Sequence, residues 1–363
     1  MLIHWEVSDV YNDVLKDFLK KAFEKGLIEA VIAPAATDNS YTYALVTKKE
    51  DVDKLTPIAP VMQWNGADMI RRITRLKPAK RKTLAILRPC ETRTYKELIK
   101  FNQINPENFY LLTYDCPGTI HARNYAYEQT PVDDLIKSMK EGKISEKVRE
   151  SCRVCEYPTP IKGVGDIGFG IIGVDEPVFF SLSERGKDFL AKMEIQEGER
   201  DDSSWVEMHR KNREKWLEEK RITGGRKGIE KFLAQCMNCH NCKDMCPICF
   251  CKECFFEDHS VFDYESEKFY NWADDKNGIR LPTDKTLFHI GRLIHMGTSC
   301  IGCGLCQQAC PVDIPLYRLF GIVGNDLQKV FDYKPGVNDD LPPVMEFREE
   351  EFEEFVGLKG GEE

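Results

Sequence analysis

The stretch "AQCMNCHNCKDMCPICFCKEC" (234–254) places seven cysteines in 21 positions, and "CIGCGLCQQACP" (300–311) adds four more. Cys236, Cys239, Cys242 and Cys246 are spaced C-x2-C-x2-C-x3-C before Pro247, and Cys300, Cys303, Cys306 and Cys310 repeat that spacing before Pro311. Three thiolates at two-residue gaps wrap one corner of an iron–sulfur cubane in a tight loop. Backbone N–H groups of such a loop can point at sulfur and offset the negative charge of the cluster. The fourth cysteine enters a helix and points away. Structural zinc generally pairs two cysteines with two further ligands and does not use a three-plus-one run twice with a terminal proline. The two runs therefore read as two [4Fe-4S] sites.

This half of the chain resembles bacterial-type two-cluster ferredoxins, in which the fourth cysteine of each run ligates the other cluster. The resemblance implies one set of Cys236, Cys239, Cys242 and Cys310, and a second of Cys300, Cys303, Cys306 and Cys246. Two features depart from it. The runs are separated by residues 247–299, including "FEDHSVFDYESEKFYNWADDKNG", which must loop out or form a contact surface. Cys249, Cys251 and Cys254 follow the first run directly, and could replace a ligand, bind another metal or be buried thiols.

The remaining composition sets the setting. With 363 residues, of which 42% are hydrophobic, the chain can bury an ordinary core in two or three domains. It opens "MLIHWEVSDV", without the basic and apolar regions of a signal peptide, and has no 18-residue apolar run. A cytoplasmic protein without a membrane span is expected, in which fifteen cysteines serve metal rather than disulfides. A net charge of −9, with both signs interspersed, argues against a nucleic-acid partner. "KPAKRK" (77–82) reads as solvated surface.

Residues 7–25 place Val7, Val10, Val14, Phe18, Ala22 and Phe23 on one helical face, with Gly26 as stop. The strand-like runs "IEAVIAPAA", "YTYALVT", "TLAILR" and "FYLLTYD" follow, interleaved with helical stretches near 66–76 and 91–103. The alternation predicts an α/β domain over 1–180. Residues 181–235 are strongly charged and read as an exposed helical connector. An α+β ferredoxin-like dicluster domain is expected over 236–335, with an insertion at 255–299. An acidic tail over 336–363 reads as a docking or disordered end.

Four cysteines lie outside the two runs. Cys90 and Cys116 each end an apolar run, where an open α/β sheet binds ligands, and Cys152 and Cys155 form a C-x2-C in "SCRVCEYP". By spacing alone these are either one more cubane site, or two core thiols and a zinc knuckle. "LRPCETR", "LLTYDCPGT" and "CRVCEYPTPIKGVGDIGFGIIGVDEPVFF" together resemble the coenzyme F-420 hydrogenase and formate dehydrogenase beta-subunit family over residues 27–180. That resemblance implies FAD in the N-terminal domain and a third [4Fe-4S] cluster on Cys90, Cys116, Cys152 and Cys155.

Gly163, Gly165 and Gly168 spell G-x-G-x-x-G, but a strand rather than a helix is expected after them, so a dinucleotide fold is not predicted. Asp166, Gly168, Gly170 and Gly173 are the expected flavin contacts, with a tight turn feeding a core strand as the bland alternative. Arg88, Glu91, Arg93 and Arg123 flank the same edge as phosphate holders or as a solvated rim. No hydrolytic motif competes, and no protein residue is assigned as acid or base.

The expected function is that of an anaerobic electron-transfer subunit. Hydride would pass between FAD and a deazaflavin or NAD(P)H, with ferredoxin as another possible carrier, and single electrons would move through the clusters. The partner would be the catalytic subunit of a hydrogenase, formate dehydrogenase or heterodisulfide-reductase-like complex. The alternative is a flavin-free electron wire between two enzymes.

Overall fold

The structure, a computed structural model, describes residues 10–257 and 285–346. Its N-terminal half is a six-stranded sheet ordered β2-β1-β3-β4-β5-β6. The strands are β1 (Ala30–Thr37), β2 (Ser40–Val46), β3 (Thr83–Leu87), β4 (Phe109–Tyr114), β5 (Ile167–Gly170) and β6 (Val178–Ser181). β1, β3, β4 and β5 run parallel, and β2 and β6 add antiparallel edges.

A parallel sheet is covered on both faces, and its strands read as continuous apolar runs. β3, "TLAIL", is buried at every position. Its side chains alternate between two cores. Leu84 and Ile86 join Leu15, Phe18 and Leu19 of the Val10–Glu24 helix and Phe189 and Leu190 of the Glu184–Lys192 helix. Ala85 and Leu87 join Leu98 of the Pro89–Lys100 helix together with Phe288, Leu316 and Phe320 from the cysteine-rich segment. That segment therefore forms the second cover of the sheet.

Three expectations change accordingly. Among the described residues, the cysteine-rich segment consists of helices and loops without a strand, so the α+β expectation for it is not met there. Its apolar side is buried against the N-terminal half, and no hairpin of its own is needed to cover it. The charged stretch 181–235 is not a free connector, because Phe189, Leu190, Met193, Trp205 and Trp216 are buried. The head of the acidic stretch also packs in part: Gly336, Pro342 and Pro343 are buried, and the Gly336 amide donates to Glu97, which also accepts from Tyr333 Oη. Most of the insertion quoted above and the tail from 347 onward lie outside the described residues.

Arg93 fastens the two halves. Its Nε and Nη2 donate to the Pro335 carbonyl at 3.1 and 2.9 Å, and its Nη1 donates to the Ile301 carbonyl at 3.2 Å. Gln308 adds a bond from Nε2 to the Met62 carbonyl at 2.7 Å. Gly163 and Gly165 occupy a turn with positive φ that leads into strand β5, not into a helix, in keeping with the rejected dinucleotide reading.

Candidate iron–sulfur centres

β3 and β4 are parallel neighbours with Leu87 opposite Thr113. Cys90 and Cys116 each lie three residues beyond that pair, so strand register alone carries both to the same carboxyl edge. Cys90 enters the first turn of the Pro89–Lys100 helix. The Cys116 amide donates to the Pro158 carbonyl at 2.9 Å, which ties it to the loop that carries Cys152 and Cys155.

The four sulfurs act on one another electrostatically. Cys90 is influenced by Cys116 and Cys155, and Cys116 by Cys152 and Cys155. Burial pushes the Cys90 thiol well up, with Glu91 and Cys116 adding to it. Burial also takes Cys116 to about 12 and Cys155 to about 11, the charge of Cys152 contributing to both. Burial acts on Cys152 as well, but Arg149 and the hydroxyl and amide of Thr119 outweigh it and lower that thiol. Three gathered thiols that resist ionising alone, beside a fourth that Arg149 and Thr119 favour as thiolate, are suited to a cationic core that neutralises them as they ligate it.

The two C-terminal runs share one backbone form. Asn238 and His240 flank Cys239 with φ of 57° and 58°, and Gly302 and Gly304 flank Cys303 with φ of 79° and 71°. Glycine adopts this left-handed region without strain, whereas the first run places Asn and His there. Each curl continues into a short helix, Asn241–Asp244 or Leu305–Gln308, and the two helices pack together. Backbone amides two residues on donate to sulfur at Cys236, Cys300 and Cys303, as they do at Cys116 and Cys155. Such N–H groups are what an electron-rich cluster requires of its loop.

Cys236, Cys239, Cys242 and Cys310 line one cavity. Cys306 is influenced by Cys303 and Cys300. Cys246 is hydrogen-bonded to Cys249. Cys249, Cys251 and Cys254 also line an apolar cavity walled by Phe101, Phe250, Phe256 and Met296. Among the described residues, no three His, Cys, Asp or Glu side chains converge on a position for a single metal ion.

The three sets adjoin. Cys303 acts on Cys90, Cys155 and Cys300 line a common cavity with Arg93 and Tyr317, and Cys242 acts on Cys306.

The residues expected to touch flavin have other occupations. Asp166 accepts hydrogen bonds from the Leu111 amide at 2.9 Å and the Ser183 hydroxyl at 2.8 Å. A Cβ on Gly168 would run into the Phe180 ring, one on Gly170 into Arg200, and one on Gly173 into the Asp201 backbone. The space beside each glycine is filled by the chain itself. Of the edge charges, Arg88, Glu91 and Arg93 are buried and committed to the chain, whereas Arg123 lies on the solvated rim. Arg88, 2% exposed, donates to the Ala59 and Val61 carbonyls at 2.9 Å, while Glu91 accepts from Tyr43 Oη at 2.6 Å and the Gly66 amide at 2.8 Å. Arg93 is the brace described above, and Arg123 pairs with Asp313 at 2.6 Å.

Sequence reasoning missed Arg292 and His289, which the Lys285–Met296 helix presses against cysteine sulfur. Their signal was a cation and an imidazole on the apolar face of "TLFHIGRLIHM". No helix among the described residues is long and apolar enough to cross a membrane.

Residues 297–315 match the 4Fe-4S binding domain family (Fer4). The chain is 30% identical over 309 residues to the F420-dependent formate dehydrogenase subunit beta of Methanocaldococcus jannaschii, an alignment spanning 74% of this chain and 77% of that one. It is 28% identical over 379 residues to the F420-dependent formate dehydrogenase 1 subunit beta of Methanococcus maripaludis, covering 90% and 91%. A chain of the xenon-derivatized F420-reducing NiFe hydrogenase complex from Methanosarcina barkeri superposes with a TM-score of 0.43 at 13% identity, covering 60% of this chain and 91% of that one.

Proposed function

The chain belongs to the coenzyme F420 hydrogenase and formate dehydrogenase beta-subunit family, and we propose that it is the electron-transfer subunit of an anaerobic, cytoplasmic oxidoreductase complex. The observation that carries this reading is the adjacency of three cysteine sets, from Cys90 through Cys303 and Cys306 to Cys242. The proposed ligands are Cys90, Cys116, Cys152 and Cys155; Cys300, Cys303, Cys306 and Cys246; and Cys236, Cys239, Cys242 and Cys310. A [4Fe-4S] cluster on each set supplies one-electron uptake and release. The chain contributes the rest: amides aimed at sulfur, burial of Cys242 and Cys310 with partial burial of most of the other cysteines, and braces such as Arg93 that hold the sets at fixed separation.

The reading extends to a hydride carrier, deazaflavin or nicotinamide, exchanging with FAD, and to a hydrogenase, formate dehydrogenase or heterodisulfide-reductase-like catalytic partner. This extension rests on the family alone. Asp166, Gly168, Gly170 and Gly173 do not fit a flavin, being packed against the chain, and no step is assigned to them. The second reading is a flavin-free wire between two enzymes. Anaerobically prepared protein, assayed for flavin and then mixed with reduced F420 or NADH, separates the two. Bound flavin together with cluster bleaching by a carrier supports hydride entry. Clusters without flavin, reduced by a low-potential ferredoxin and by neither carrier, support the wire.

A further inference from the structure

The insertion between the two cysteine runs returns as the Lys285–Met296 helix and lays Arg292 against Cys242 of the first run. Arg292 is 2% exposed. Its Nη1 donates to Cys242 Sγ at 3.1 Å and its Nη2 to the Cys242 carbonyl at 3.1 Å. Burial disfavours its charge, and the groups that restore it are sulfurs: Cys249, Cys242, Cys246 and Cys306. Phe320 stacks against the guanidinium at 4.5 Å and fixes its plane. One turn earlier on the helix, His289 Nε2 lies 3.5 Å from Cys236 Sγ. A buried guanidinium whose charge is met by cysteine sulfur makes sense if that sulfur carries the negative charge of ligated clusters.

We infer that Arg292 is a positioning residue that raises the reduction potentials of both ferredoxin-type clusters, making the insertion helix a tuning element of the relay. The inference rests on the ligand sets proposed above. Adding an electron makes a cluster more negative, and a fixed buried cation stabilises that state more than the oxidised one. Arg292 touches Cys242 of one set and is influenced by Cys246 and Cys306 of the other, so a single charge acts on two centres. Neither contact is required by the cysteine spacing. The N-terminal cysteines are not among these partners.

The test is potentiometric EPR on the full chain, with iron counted first. Arg292→Gln should retain iron and lower the potentials of the two ferredoxin-type clusters. The equilibrium constant for one-electron reduction should fall roughly tenfold or more, about 59 mV per tenfold, and the N-terminal cluster should not shift. Arg292→Lys, which keeps the charge, should restore most of the difference. Full iron with unchanged potentials in Arg292→Gln would overturn the inference. If Arg292→Gln loses iron, retention of iron and near-native potentials in Arg292→Lys supports it. Equal loss in both variants would reduce Arg292 to packing and overturn it. Wild-type protein lacking the iron of the two C-terminal sets would instead remove the ligand assignment beneath it.

Discussion

The C-terminal cysteines, from Cys236 to Cys246 and from Cys300 to Cys310, are gathered by local backbone curls, whereas Cys90, Cys116, Cys152 and Cys155 meet only because β3 and β4 lie in register and a later loop folds over their ends. In the first region, spacing specifies the loop, and the loop specifies where the sulfurs point. In the second, the sheet must form before any two sulfurs are neighbours. A curl aims its sulfurs through its own backbone, whereas the N-terminal set depends on the whole sheet.

The two regions share the core formed by Leu87, Leu98, Phe288 and Phe320, which predicts that they unfold together. Arg93→Met is the strongest way to break that union. It deletes three hydrogen bonds from a buried cation and leaves two carbonyls without their donor. The expected loss is about 3–5 kcal/mol, measured by denaturant unfolding. The wild type should show one transition by cluster absorbance and by far-ultraviolet circular dichroism. Two separate transitions in the wild type would mean that the halves are independent and the shared core is not cooperative.

Gly168→Ala probes the sheet side with a smaller effect. The added methyl meets the Phe180 ring, and overpacking of this kind costs about 1–3 kcal/mol. Any flavin content should be unchanged, because the position faces the chain. Stability unaltered but flavin lost would return Gly168 to the cofactor site and contradict the packing described above.

The same contrast explains what the sequence makes legible. Both C-terminal runs are complete within a few turns of chain, so spacing and a terminal proline suffice, and the family match at 297–315 falls on the second. Cys90 and Cys116 were visible as strand ends because apolar runs mark parallel strands. Arg88 and Glu91 were not legible as braces, since their partners at Ala59, Val61, Tyr43 and Gly66 lie more than twenty residues away. The glycines of β5 and the following loop suited either a flat ligand or a neighbouring ring, and only packing distinguishes Phe180 from a flavin. Arg292 had to be brought back across the insertion before it could meet Cys242.

The central claim is that the sheet-edge cysteines form a third cluster site beside the two local ones. Iron and acid-labile sulfide counted per chain in anaerobically purified wild type and Cys90→Ser test it most directly. The account predicts about twelve irons in the wild type and about eight in Cys90→Ser, at four per cubane, with both ferredoxin-type EPR signals retained in the variant. About eight irons in both proteins would contradict it, and would leave Cys90 an ordinary buried thiol at the end of β3.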